Sequence, residues 1–192
     1  MPTFNVQALI DSLQQDVRYT LAQAEQLKQI PEGEMLQQPQ PGKWSIAQVL
    51  EHLNGYNRYY LTEMEKALQG NRVSVAAVFK PGFIGNYFTN LMQPKEDGTI
   101  AKKMSAPTEY NFGPDLDAAK VLNEFISGQQ KLIILFDKAR KADIGGLKVP
   151  ISISRWIKLK LGDSFRFLVA HQLRHFMQIE RVKGVVVKSK AA

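Results

Sequence analysis

Four stretches of this sequence repeat apolar residues at steps of three and four, the spacing that gathers side chains on one face of an α-helix. Four such faces bury one another by packing around a common core. The pattern therefore predicts an all-α protein, a four-helix bundle. The recurring positions are Val6, Leu9, Ile10, Leu13, Val17, Leu21, Ala24 and Leu27; Ile46, Val49, Leu50, Leu53, Tyr60, Met64 and Leu68; Leu122, Phe125, Ile126, Gln129, Leu132, Ile133 and Phe136; and Phe165, Leu168, His171, Gln172, His175, Phe176, Ile179 and Val182.

Capping residues mark where three of these helices are expected to begin. Ser45 is followed three residues later by Gln48, the spacing of a capping box, so the second helix is predicted to start there. Asp115, after a Gly-Pro pair, is the expected cap of the third helix. Asp163 or Ser164, after a glycine, is the expected cap of the fourth.

Two long connections interrupt the helical patterns. Residues 70–113, between the second and third helices, are rich in Gly, Pro, Asn and Lys, but 83–92 is apolar enough to form a short helix against the body or over a pocket. In 141–162 only a short alternation at 151–153 favours a strand. We expect one domain over residues 1–186 and a basic tail over 187–192.

Composition excludes several kinds of protein. Hydrophobic residues make up 44% of the 192, enough for a sizeable core, and there is no cysteine, which excludes disulfides, thiolate ligands and a protein thiol nucleophile. The start of the chain lacks the pattern of a signal peptide, and the apolar runs are too short to span a bilayer. We therefore expect a cytoplasmic protein without a membrane partner. The net charge of +7 is spread along the chain without a groove-reading motif, so no nucleic-acid partner is expected.

The chain has three histidines, and two of them, His171 and His175, stand four residues apart on a predicted helix. Residues at that spacing lie about 40° apart around the helix axis and about 6 Å along it, so their imidazoles can bind one ion. His52, on the flank of the second apolar stripe, is the available third ligand. Three imidazoles leave a position open for water or substrate. The alternative is three unrelated histidines, two of them hydrogen-bonded in the core.

The segments "GKWSIAQVLEHL" (42–53) and "LGDSFRFLVAHQLRHFMQIERV" (161–182) resemble the DinB/YfiT-like superfamily of proposed metalloenzymes. The residues that carry the resemblance are Trp44, Ser45, His52, His171, His175, Gln178 and Ile179. It implies up-down-down-up helix directions, a divalent ion on the histidines, commonly nickel or zinc, and a homodimer. It also implies transfer or isomerisation with a low-molecular-weight thiol such as bacillithiol, mycothiol or glutathione.

Other residues near these motifs are weaker candidates, and three of them have two interpretations each. Gln178 could hydrogen-bond a metal-bound water or pack at a helix contact. Tyr56 and Tyr59 follow His52 on the same helix and could donate to a bound anion or belong to the core. Trp44 is expected to anchor the start of the second helix, and Arg174 is expected to lie on the surface.

Two classes of function remain open from the sequence. The first is a metal-dependent enzyme acting on a small molecule, either a thiol transferase or isomerase or a hydrolase that activates water. The second is a non-catalytic protein that binds a metal or a small ligand. No general base is evident near the histidines, so neither class is excluded.

The long segment 70–113 is expected to lie near the metal end of the bundle and to shape access to the open position. Pro81-Gly82 and Gly98 are its expected hinges. Its apolar residues are too hydrophobic to remain in water, and the alternative is that they cap the bundle or line a dimer interface. These residues are Phe83, Ile84, Tyr87, Phe88 and Leu91.

Overall fold

The computed structural model describes residues 2–69, 76–94 and 105–187. Within those ranges it contains helices α1 Val6–Leu27, α2 Glu32–Leu36, α3 Ile46–Gln69, α4 Phe83–Met92, α5 Ala118–Ala139 and α6 Leu161–Val186, a 3-10 turn at Thr108–Tyr110, and strands β1 Phe4–Asn5, β2 Val78–Phe79, β3 Lys148–Ile151 and β4 Ser154–Lys160. The helices α1, α3, α5 and α6 are the four predicted from the apolar repeats. No helix of the described part is long and apolar enough to cross a membrane.

The second and third bundle helices run parallel. Arg58 of α3 pairs with Glu124 of α5 at 2.6 Å between Nε and Oε1, and further along both helices Glu65 pairs with Lys131 at 2.7 Å. Because residue numbers rise together along the two helices, the connection between α3 and α5 has to return along the whole bundle. This requirement accounts for the long excursion over 70–113.

The first and last bundle helices run opposite to that pair. Arg140, just past the end of α5, pairs with Asp11 in the second turn of α1 at 2.7 Å. The directions are therefore up, down, down and up, as the family resemblance implied. Helices α3 and α6 are antiparallel. Asn57 contacts Gln172, and Tyr60, further along α3, contacts Phe167, which comes earlier in α6.

The predicted apolar stripes form the core. Most of the positions that define the four patterns are buried; the exceptions are partly exposed: Leu21, Leu68, Ile133 and His175. The prediction of an all-α bundle from periodicity is confirmed.

Two of the predicted helix starts are wrong. Asp117, not Asp115, caps α5, and its carboxylate accepts the Lys120 N–H at 2.8 Å. Helix α6 begins at Leu161, before either predicted cap, and has no side-chain cap. Asp163 instead accepts the backbone N–H of Gly82 at 2.8 Å, because the segment that enters α4 packs against the first turn of α6.

Residues 148–160 form a β-hairpin, of which the sequence indicated only a short alternation at 151–153. Strands β3 and β4 pair antiparallel from Lys148↔Lys160 to Ile151↔Ser154, and 152–153 is the turn between them. Periodicity could not predict β4, because buried and exposed residues do not alternate along it: four consecutive residues are exposed and Leu159 is the buried one. Leu159 faces the bundle together with Val149 of β3.

Helix α4 matches the short helix predicted over 83–92, but it buries only some of its large apolar residues: Phe88 and Met92 pack against the core. It packs on α6 through the small residues Gly85 and Thr89, while Phe83, Ile84 and Tyr87 are exposed. A Cβ on Gly85 would overlap the Asp163 carboxyl, so the close approach requires glycine. The expectation that this stretch would be withdrawn from water is therefore wrong for these three residues. Gly98 and the tail residues 188–192 lie outside the described residues.

Candidate metal centre

The predicted capping box places the first histidine. Ser45 Oγ accepts the N–H of Gln48 at 3.2 Å, and Gln48 Oε1 accepts the N–H of Ser45 at 3.1 Å. This reciprocal pair satisfies two backbone donors at the start of α3 and sets where the helix begins. His52 follows two turns later, buried on the side of α3 that faces α6.

The structure brings the three histidines together. The Nε2 atoms of His52 and His171 are 3.2 Å apart, and the ring centroid of His175 lies 4.7 Å from that of His52 and 4.6 Å from that of His171. One ring nitrogen from each residue lies within 4.8 Å of those of the other two. Tetrahedral ligands about 2 Å from an ion are about 3.3 Å apart, so small side-chain rotations suffice to bind one.

Two of the imidazoles are oriented by hydrogen bonds to their second ring nitrogen. The backbone carbonyl of Tyr110 lies 2.8 Å from Nδ1 of His52, and Oε1 of Gln178 lies 3.0 Å from Nδ1 of His175. Both acceptors favour the tautomer with hydrogen on Nδ1, which leaves Nε2 free to bind an ion. The carbonyl can approach because residue 55 is glycine: a Cβ there would come within 2.9 Å of the Tyr110 ring.

The third imidazole is held by ring packing instead. The ring of Phe167 is nearly parallel to that of His171, with centroids 5.9 Å apart. The ring of Tyr56 also contacts that of His171, tilted to it, with centroids 4.5 Å apart. Nδ1 of His171 is buried and makes no hydrogen bond to the part of the chain that the structure describes.

Burial keeps all three histidines neutral at physiological pH. It lowers the pKa of His52 and places that of His171 well below its ordinary value, with the neighbouring imidazoles adding to the effect on His171. Burial and the proximity of His52 lower the pKa of His175 to about 3. Only neutral imidazole binds a metal ion, so the cluster requires no deprotonation to do so.

The cluster opens into a cavity of about 760 Å³. Its wall combines aromatic and aliphatic side chains with three cationic ones, Lys43, Arg174 and Arg181, and no acidic residue belongs to the described lining. Aromatic wall residues close to the histidines are Trp44, whose ring centroid is 4.9 Å from that of His52, and Tyr56. The space suits a small molecule with an apolar body.

The other candidates predicted from sequence separate into three groups. Gln178 orients His175, and Tyr56 lines the cavity with its pKa raised above the ordinary value by burial, so its hydroxyl stays protonated. Tyr59 is directed away, with its hydroxyl donating to the Ile151 carbonyl of the hairpin at 3.1 Å, and it does not line the cavity. Arg174 is not a surface residue as predicted: it is only 9% exposed and donates to the Leu91 carbonyl at 3.3 Å, because α4 covers that side of α6.

Sequence reasoning missed three contributors to the site. Trp44 was assigned only an anchoring role, Phe167 was not considered, and Tyr110 acts through its backbone carbonyl. Phe167 lies one turn before His171, so helical spacing could have indicated it. A backbone carbonyl carries no residue-specific signal, and nothing in the sequence could have indicated Tyr110.

Only part of the described excursion reaches the histidine cluster: β2 pairs with β1 beside the start of α1, at the other end of the bundle, whereas the later part of α4 reaches the cavity. Phe88 and Met92 of α4 line the cavity, and so do residues 105–107 before the 3-10 turn. Leu91 contributes the carbonyl to which Arg174 donates. Tyr87 faces solvent.

Comparisons with known proteins agree with this architecture. The chain matches the family model of the DinB superfamily over residues 6–179. The solved structure of YfiT from Bacillus subtilis, described as a probable metal-dependent hydrolase with an unusual four-helix bundle topology, aligns with a TM-score of 0.53 at 14% sequence identity, covering 93% of this chain and 86% of YfiT. No match is found among curated proteins.

Proposed function

The chain belongs to the DinB superfamily, and from that premise we propose that it is a metal-dependent enzyme in which His52, His171 and His175 hold one divalent ion beside the cavity. The observation that carries the proposal is the convergence of three histidines, two buried and one partly buried, whose ring nitrogens lie within 4.8 Å of one another. Hydrogen bonds to Tyr110 and Gln178 turn two of these rings so that Nε2 is available.

The donor set favours zinc or nickel. Imidazole nitrogen suits both ions, whereas magnesium and calcium require oxygen ligands, which the cluster lacks. Three protein ligands leave at least one coordination position for a substrate or water, as in catalytic rather than structural sites. That ligand would reach the ion from the cavity, because all three histidines line it.

We propose that the reaction is a transfer or isomerisation that uses a low-molecular-weight thiol. When bound, the ion would act as a Lewis acid that lowers the pKa of the thiol. The chain has no cysteine, so the reactive sulfur has to come from a substrate, and a cavity of about 760 Å³ has room for a thiol and a second small molecule. The protonated Tyr56 hydroxyl is available as a hydrogen-bond donor to negative charge that develops on the substrate.

Hydrolysis is the second candidate. The description of YfiT as a probable metal-dependent hydrolase supports it. In that case water replaces the thiol as the nucleophile, and the same histidines and Tyr56 keep their roles. No carboxylate lines the described cavity to act as a general base, so either reaction depends on the ion to activate the nucleophile.

Metal analysis and activity assays test the proposal together. We expect about one zinc or nickel ion per chain in the wild-type protein and none in His171→Ala. The matched control is Lys183→Ala, a partly exposed residue of α6 that does not line the cavity. The loaded protein should accelerate conjugation of glutathione or cysteine with 1-chloro-2,4-dinitrobenzene, or hydrolysis of p-nitrophenyl acetate if water is the nucleophile. Absence of metal in the wild type after reconstitution would refute the site; bound metal without either activity would favour a binding protein.

A further inference from the structure

The described residues expose large apolar side chains unevenly. Seven of the eleven lie on just two segments, 76–94 around α4 and 147–160 of the β-hairpin, which we name the basic apolar face. Trp156 is 95% exposed, Phe83 78% and Ile153 66%. The others are Val78, Ile84, Tyr87 and Ile157. Scattered exposed apolar residues need no explanation, but a concentration of this kind indicates an interaction surface.

The two segments form one surface. Helix α4 and strand β4 are in contact, and Lys160 Nζ donates to the carbonyl of Lys80 at 2.7 Å, which joins the end of β4 to the chain just before α4. Alternate residues of a strand point to opposite faces, so exposure of both Trp156 and Ile157 means that the hairpin projects from the bundle with apolar side chains on both faces.

The charge of this face has one sign. Segment 76–94 has one cation and segment 147–160 has four, five in all, and neither segment contains an acidic residue. Four of them are exposed: Lys80, Lys148, Arg155 and Lys158. A partner that matches this surface has to combine negative charge with an apolar phase.

We propose that the basic apolar face binds the surface of an anionic lipid bilayer, with Trp156 and its apolar neighbours in the interfacial layer and the cations against lipid phosphates and carboxylates. Lysine and arginine beside exposed tryptophan and isoleucine are typical of interfacial binding. The sequence-based expectation of no membrane partner rested on the absence of a spanning segment, which peripheral binding does not require.

Two other occupants fit this surface less well. A two-fold dimer would place the same patch on both sides of the interface, so the five cations would face one another with no acid from either segment. Single-stranded nucleic acid stacks on aromatic rings, but three of the seven exposed apolar residues are isoleucines, Ile84, Ile153 and Ile157, which provide no stacking surface.

The binding surface adjoins the cavity. The cavity is lined by hairpin residues, namely Ile151, Ser152, Ile153 and Leu159. It is also lined by Phe88 and Met92 of α4. A protein bound through this face would therefore hold its cavity beside the lipid headgroups.

Vesicle co-sedimentation of the metal-loaded full chain tests this proposal. We expect binding to vesicles of phosphatidylcholine and phosphatidylserine, with little binding to phosphatidylcholine alone and loss of binding at high salt. Trp156→Ser should lower the partition coefficient about tenfold, and Lys158→Gln about fivefold. Tyr19→Ser, which removes an exposed aromatic from α1, and Lys183→Gln, which removes a cation from α6, are the matched controls and should bind within about twofold of wild type.

Three results would overturn the proposal. The first is equal sedimentation of wild type and Trp156→Ser. The second is a dimer by light scattering that Trp156→Ser converts to a monomer, which would assign the face to a second copy. The third is oligonucleotide binding without vesicle binding. Because the substituted side chains are exposed, or partly exposed in the case of Lys183, circular dichroism should show all variants folded.

Discussion

Acidification of the metal-free protein should destabilise it through the histidine cluster. All three histidines of the chain are in that cluster. In the unfolded chain each titrates near its ordinary pKa of 6.5, whereas in the folded protein burial lowers the pKa, that of His175 to about 3. The unfolded state therefore binds more protons as pH falls below 6.5. The stability associated with neutral, buried histidine is present above that pH and is lost progressively below it.

The size of the effect follows from these pKa values. A histidine that stays neutral in the folded state, while its unfolded counterpart titrates at 6.5, lowers the free energy of unfolding by up to about 2 kcal/mol between pH 7 and pH 5. His175, with a pKa of about 3, meets this condition. Burial raises the pKa of Asp16 and of Asp163, which acts in the opposite direction as pH falls. Both carboxyls are present in wild type and in a His175 variant, so their contribution cancels when the two proteins are compared.

Urea unfolding followed by circular dichroism at pH 7 and pH 5 would measure this loss in wild type and in His175→Gln, which cannot titrate. The variant should lose about 2 kcal/mol less than wild type over the interval. Wild-type protein with zinc at a hundredfold excess over its dissociation constant should gain about 2.7 kcal/mol at pH 7. Equal pH dependence in wild type and variant would show that burial does not hold His175 neutral, and the reasoning would fail.

Three further predictions concern contacts that support the site. Gln178→Ala removes the acceptor for Nδ1 of one metal-site imidazole and should weaken zinc binding about 10- to 100-fold by calorimetry while leaving the helical content unchanged. Gly85→Ala forces a Cβ against Asp163 and should cost about 1–3 kcal/mol in urea unfolding, whereas Gly33→Ala, where nothing lies within 4 Å, should cost nothing; equal effects would contradict the close approach of α4 and α6. Ser45→Ala removes one half of the capping box and should lower the free energy of unfolding by about 0.5–2 kcal/mol; no loss would show that the cap does not stabilise α3.

Much of the fold and part of the site were determined by local sequence patterns. Apolar periodicity specifies an amphipathic helix residue by residue, so the four bundle helices and α4 could be predicted. The capping box at Ser45 and Gln48 is equally local, and so is the one-turn spacing of His171 and His175. In each case the interacting atoms lie within four residues of one another, and the chain needs no distant contact to bring them together.

Only the tertiary structure decided how these parts meet. His52 joins the other two histidines because α3 and α6 are antiparallel neighbours, and the Tyr110 carbonyl reaches it from a loop almost sixty residues away. The burial of Arg174 depends on how α4 lies across α6, and so does the exposure of Tyr87. These features were inaccessible to the sequence because burial and backbone hydrogen bonding are properties of neighbours distant in the chain, which no local spacing records.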